Sequence, residues 1–164
     1  MRAFLTLILL VAVERVAELV VSRRNLEWSK AHGGREFGAG HYPVMVALHT
    51  GLLVGAVAEA RIRKRWIWPA FWVVVVAQLL RWWCITTLGK QWNTRVVVVP
   101  GAPRVTGGPY GVVPHPNYVA VVLEGAALPL AGGAWVTAAL FTVANALLLR
   151  TRIRVEDEAL QSLA

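Results

Sequence analysis

Two stretches of this 164-residue chain carry side chains of the kinds that bind ligands or react. The first is Gly107-Gly108-Pro109-Tyr110-Gly111-Val112-Val113-Pro114-His115-Pro116-Asn117-Tyr118. Pro114 and Pro116 restrict the backbone on both sides of His115 and hold its imidazole where a flexible loop would not. Such fixing suits a binding site; a helix start with an incidental histidine is the other reading these residues allow. The second stretch is Arg150-Thr151-Arg152-Ile153-Arg154-Val155-Glu156-Asp157-Glu158. Arg152 and Glu156 are four apart and share a face if a helix runs through them. Spacing alone equally allows a basic cluster at a membrane edge followed by a solvated acidic turn. A third segment, Gly33 to Tyr42, is rich in glycine but has neither the Lys-Ser/Thr of a phosphate loop nor a preceding strand. It reads as a flexible loop that packs over a site. Cys84 stands alone, so neither an internal disulfide nor a metal site of Cys and His is expected.

The elements that must position these residues follow from composition. Hydrophobic residues make up 57% of the chain and charged ones 16%, with a mean hydropathy of +0.54. Too few charges remain to cover a globular surface, which excludes a soluble enzyme, a disordered tail and a collagen-like fibre. The formal charge of +8 does not point to nucleic acid, because the Lys and Arg residues sit in short clusters between apolar runs. That pattern is a membrane-topology signal, and Trp66, Trp68, Trp82 and Trp83 bracket one apolar run as interfacial aromatic belts do.

The pattern predicts an all-α integral-membrane protein, a single domain over 1–164 with about five transmembrane helices. The expected spans are Ala3 to Val21, Pro43 to Ala58, Trp66 to Thr86, Val119 to Leu130 and Ala134 to Leu149. Gly132-Gly133 joins the last two as a helical hairpin, and the fourth is short enough to tilt, re-enter or begin earlier, at Asn117 and Tyr118. Glu14, Arg15 and Glu18 inside the first span should face the bundle, where Gln78 and Arg81 of the third can meet them; Glu124 in the fourth is a buried acid that needs a partner. Ten Lys and Arg residues fall on the side holding the 22–42 and 89–116 loops and the C-terminal tail, against five on the other. That side is the cytoplasmic one, and both reactive stretches lie on it.

Gly-Pro-Tyr-x4-His-Pro-Asn-Tyr at 108–118, followed after the hairpin by Arg152-x3-Glu156-Asp157 and Leu160, resembles the isoprenylcysteine carboxyl methyltransferase family. Its members are integral-membrane enzymes that use S-adenosylmethionine, distantly similar to phospholipid methyltransferases and sterol reductases. The likeness is good over about 89–160, which it marks as the cofactor-binding and catalytic part. Upstream, Gly33 to Tyr42 and the run Leu88 to Val96 with Pro100-Gly101 resemble the small bacterial branch found beside type III polyketide synthases, whose members methylate alkylpyrones or alkylresorcinols.

The resemblance implies that Tyr110, His115, Pro116, Asn117, Tyr118 and Glu156 contact the cofactor, that Arg104 and Val105 line the same pocket, and that Arg152 is catalytic and faces the acceptor. Pro114 stands where the family usually has Arg, which favours a neutral or phenolic acceptor. The expected activity is O-methylation of a lipophilic carboxylate or hydroxyl drawn from the bilayer, with a prenylated acceptor as another candidate and no nucleic acid involved. A bacterial plasma membrane is the expected location. Because a sulfonium methyl is already activated, alignment of an ionised oxygen at about 3 to 3.5 Å is the main requirement and no strong base is expected. The competing readings are a phospholipid N-methyltransferase and a non-catalytic membrane scaffold or transporter subunit.

Overall fold

The computed structural model describes residues 1–162. Five helices dominate it: α1 Arg2–Ala31, α2 His41–Arg63, α3 Trp68–Leu88, α4 Pro116–Ala131 and α5 Trp135–Ser162. Three of them, α2, α3 and α5, are long and apolar enough to cross a membrane. The 30-residue α1 has the length but carries Glu14, Arg15 and Glu18, and α4 has 16 residues, about 24 Å of rise. Large apolar side chains such as Leu9, Leu10, Val54, Leu79, Leu140 and Val143 stand exposed on the outer faces, the surface a lipid solvent requires.

Two expectations are corrected. The first helix does not end with the expected span at Val21 but continues to Ala31, because Ser22, Asn25 and Ser29 on its inner face are buried and hydrogen-bonded or packed against the 89–94 segment and the following turn. The glycine-rich 33–42 segment is not simply a loop: β1 Arg35–Phe37 pairs antiparallel with β2 Val96–Val98, matching Arg35 with Val98 and Phe37 with Val96. Two segments distant in sequence thereby satisfy each other's backbone groups. Arg95 reinforces the pairing through an ion pair to Glu36 at 2.7 Å and by lying 4.2 Å over the Tyr42 ring.

Turn chemistry sets the helix order. Lys64 ends α2 in the left-handed conformation, and the Ile67 N–H then donates to the Ala131 carbonyl at the end of α4, which ties the two turns at this end of the bundle. Gly132-Gly133 forms the predicted hairpin. Gly133 has φ +75°, and a Cβ on Gly132 would lie 2.6 Å from the Phe4 ring. Glu59 of α2 accepts hydrogen bonds from the Val136 and Thr137 N–H groups, satisfying donors at the start of α5. Around this end Phe4, Leu7, Ile8, Val11, Ala56, Ala60, Val74 and Leu128 make a dry core.

Deeper in the bundle a polar network binds three helices. Glu124 accepts from Arg15 at 2.8 Å and from Arg81 at 2.6 Å, Arg15 also donates to Glu18 at 2.5 Å, and Arg81 lies 3.5 Å from Glu18. Gln78 and Trp82 of α3 both donate to Glu14. Gln78 and Arg81 thus meet the acidic face of α1, as their spacing predicts. Removing one member strands its partners' charge in an apolar interior, so Arg81→Met should cost about 3–5 kcal/mol. Thermal unfolding of the detergent-solubilised variant checks this; a midpoint equal to wild type would show the network contributes no stability.

Candidate functional site

The end of the bundle opposite the hairpin is not packed shut. Here the chain between α3 and α4 folds back over the helices, and a cavity of about 700 Å³ opens between all five of them, β2 and the 104–115 segment. The floor of the returning segment is fixed by side chains. Asn25 donates to the Gly89 and Trp92 carbonyls, Ser22 donates to Asn93 at 2.7 Å and accepts from the Thr94 N–H at 3.0 Å, and Arg152 donates to the Thr94 carbonyl at 2.8 Å. After Gly107 a 3-10 turn over Gly108–Gly111 presents Tyr110, and Gly108 at φ +55° lies so close to Thr87 and Trp83 that a side chain there would collide.

The residues expected at the site converge with one exception. Arg104, Val105 and Tyr110 line the cavity from the loop, His115, Asn117 and Tyr118 from the start of α4, and Arg152 and Glu156 from α5. Pro116 does not line it: this residue occupies the first turn of α4 and is fully buried, where its fixed φ starts the helix and its missing N–H costs no bond. Pro114 does line the cavity.

Glu156 is the hub of the constellation. Its carboxylate accepts from the Tyr118 hydroxyl at 2.5 Å and lies 3.6 Å from His115 Nδ1, while His115 Nε2 stands 3.1 Å from Asp157. The His115 and Tyr118 rings stack at 5.6 Å, so the carboxylate, imidazole and phenol form one connected unit. The neighbouring Glu156 carboxylate raises the His115 pKa, against partial desolvation. Burial pushes the Tyr110 hydroxyl well above the ordinary phenol range, so it remains a protonated donor. Arg152 is 6% exposed; its bond to Thr94 fixes one edge of the guanidinium beside the cavity. The Asn117 amide oxygen is buried with no partner among the described residues, an acceptor left for a ligand.

Several lining residues escape the motif reading. Arg15, Glu18 and Arg81 close the deeper end of the cavity, and His49, Thr50 and Asn145 join them there. Asn145 is 2% exposed and its amide oxygen has no partner among the described residues. The signal for His49 and Asn145 was present in the sequence: each is a polar residue inside an apolar run, the feature that singles out Glu124. Among the described residues, no group of His, Cys, Asp and Glu is placed to hold a metal ion.

Residues 70–162 match the isoprenylcysteine carboxyl methyltransferase (ICMT) family. A Bacillus subtilis (strain 168) protein described as uncharacterized protein YpbQ is 40% identical over 164 residues, with 96% of each chain covered. No solved structure matches.

The contacts of His115 set a pH test. With its pKa raised above 6.5 in the folded state, the imidazolium contacts stabilise the fold fully below that value and are lost as pH rises through the higher, folded pKa. An NMR titration of the His115 ring should therefore give a midpoint above 6.5 in wild type and a lower one in Glu156→Gln. Equal midpoints would remove Glu156 as the cause.

Proposed function

The chain belongs to the isoprenylcysteine carboxyl methyltransferase family, and from that premise we propose that it is an integral-membrane O-methyltransferase. It takes S-adenosylmethionine as methyl donor and a lipophilic carboxylate or hydroxyl as acceptor. The observation that carries this reading is the single cavity in which the His115–Tyr118–Glu156 unit and Arg152 face the same space.

The residues fit the donor. A volume of about 700 Å³ lies within the range of small-molecule and cofactor sites and leaves room for part of a second ligand. The unpartnered Asn117 oxygen and the Glu156 carboxylate are acceptors for amino and hydroxyl groups, and the Tyr110 hydroxyl is a neutral donor. Asn117, His115, Tyr118 and Glu156 would hold S-adenosylmethionine, with Arg104 and Val105 against it. When bound, it supplies a methyl group already activated on a sulfonium. Arg152, permanently charged and braced by Thr94, orients the acceptor oxygen. Its side chain disfavours a cationic amine at that point, which argues against N-methylation of a phospholipid headgroup.

In this reading all five helices lie in a bacterial plasma membrane with the cavity end facing the cytoplasm. The donor enters from water. The acceptor enters from lipid, on the side where Leu19 of α1 and Val46 of α2, both exposed, line the cavity. A free lipophilic molecule of the alkylpyrone or alkylresorcinol kind suits the site better than a prenylated protein.

Calorimetry of S-adenosylhomocysteine with detergent-purified protein tests the proposal. Wild type should bind, and His115→Ala and Glu156→Ala should each weaken binding by about 10-fold or more, the worth of a charge-assisted hydrogen bond. Arg152→Ala should keep that affinity and lose methyl transfer. A folded wild type that does not bind would sink the assignment and favour a non-catalytic membrane protein.

A further inference from the structure

The hairpin end of the bundle, remote from the cavity, carries charge that the fold does not use. Arg61, Arg63, Lys64 and Arg65, where α2 turns into α3, and Arg2 at the start of α1 are all exposed there. Among the described residues the acid they face is Glu59. α1 has no acid before Glu14, α3 has none, α5 has none before Glu156, and Glu124 of α4 is committed to Arg15 and Arg81 deep in the bundle. Glu59 is itself engaged by the Val136 and Thr137 N–H groups, and its ion pair with Arg63 is long at 3.8 Å. Arg2, Arg61, Lys64 and Arg65 are left without an acidic partner among the described residues.

The cations are gathered by the fold. The α4–α5 turn lies against them: a Cβ on Gly133 would stand 3.0 Å from the Cβ of Arg65 and 3.6 Å from that of Arg63. Lys64 ends α2 at φ 51°, a left-handed conformation that glycine adopts at less cost and that glycine usually supplies after a helix. A lysine where glycine fits better is accounted for if its side chain has a task. The surroundings are those of a membrane boundary. Trp66, Trp68, Phe71 and Trp72 pack into one aromatic cluster that begins directly after Arg65, with Trp68 and Trp72 exposed. Ile62 stands 81% exposed inside the basic run, an apolar side chain with lipid as its natural solvent. In the proposed orientation this end faces away from the cytoplasm, so the cytoplasmic bias of basic residues does not account for it.

We propose that this patch is a binding site for an anionic phospholipid, whose phosphate is held by Arg61, Lys64 and Arg65 while the exposed tryptophans lie against its glycerol and upper acyl chains. Arginine and lysine donors match phosphate oxygens in charge and geometry. A zwitterionic headgroup brings a cation of its own into a field of five cations and one acid, so it binds less well. The adjoining aromatic cluster and Ile62 identify the occupant as a lipid, because a free phosphate makes no use of apolar surface. Seated there, the lipid bridges the α2–α3 turn and the α4–α5 hairpin and fixes the depth of this end in the bilayer. The site is separate from the cavity and does not depend on the methyltransferase reading.

The test titrates brominated lipids into detergent micelles of the full chain and follows quenching of tryptophan fluorescence. Brominated phosphatidylglycerol should half-saturate wild type at a mole fraction about 10-fold or more below that of brominated phosphatidylcholine. Arg61→Gln/Arg65→Gln should weaken phosphatidylglycerol binding about 25-fold, at about fivefold per cation removed, and leave phosphatidylcholine unaffected. Arg23→Gln/Arg24→Gln removes the same charge from exposed positions near the cavity end and should change phosphatidylglycerol binding by no more than about twofold. Lys64→Gly supplies the residue that the turn geometry favours, so it keeps the fold, and it should still weaken phosphatidylglycerol binding about fivefold. It decides the question if the 61/65 variant does not fold. Equal affinity of wild type for the two lipids, equal weakening by the two double variants, or a Lys64→Gly protein that binds phosphatidylglycerol as wild type does overturns the proposal. Displacement of the lipid by an equal concentration of glycerol 3-phosphate also overturns it, by making the site one for a free phosphate.

Discussion

One carboxylate, Glu124, organises the middle of this protein. It is 4% exposed inside an apolar bundle and takes hydrogen bonds from Arg15 and Arg81 at once. An ionised acid in such surroundings is tolerated only when paired, and so is each arginine. The consequence is a directional joint among α1, α3 and α4 that apolar side chains could not specify, since in a lipid solvent hydrophobic surfaces have no preference for each other over lipid. The joint fixes the rotation of α1, and that rotation turns Ser22 and Asn25, about two and three turns beyond Arg15 on the same face, toward the 89–94 segment. The seating of the 89–94 segment over the cavity therefore depends on a charge cluster deeper in the bundle.

The two ends of the bundle solve opposite problems. At the hairpin end, small residues let backbones approach: Ala56, Ala60, Ala127 and Ala131 are buried, and Gly132 lies so close to Phe4 that a Cβ would stand 2.6 Å from the ring. At the other end the same helices are held apart by the chain that returns between α3 and α4, and the space that remains is the cavity. Its lining changes along its length from the connected His115, Tyr118 and Glu156 side chains to the His49 and Asn145 level. On the proposed methyltransferase reading, a site with a polar mouth and an inner end inside the bundle would let a water-soluble donor and a membrane-borne acceptor meet without either leaving its own solvent.

Much of this was legible in the residues. Apolar runs of membrane-spanning length, the glycine pair of the hairpin and the basic clusters between runs locate the helices, because lipid requires continuous apolar sequence and internally satisfied backbones. The motif segments at 108–118 and 152–157 mark the outer part of the site, where side-chain identity at fixed spacing carries the information. The β1–β2 pairing was not legible: Arg35–Phe37 and Val96–Val98 are three residues each, too short for a periodic pattern to distinguish from loop. The burial of Pro116 was equally hidden, since a motif position says nothing about whether a side chain faces the ligand or the helix start behind it.

By itself the sequence determined that the chain is helical and membrane-embedded, that its reactive side chains gather at one end, and which family they resemble; these follow from composition, period and local spacing. The tertiary structure alone decided that Arg152 braces against Thr94, that Glu156 joins His115 to Tyr118, and that His49 and Asn145 share a floor with Arg15, Glu18 and Arg81. Those relations join residues tens of positions apart. They depend on how each helix is rotated about its axis, and that rotation is set by the pairing of charges and the fit of small residues against rings, a property of the assembled bundle and not of any one segment.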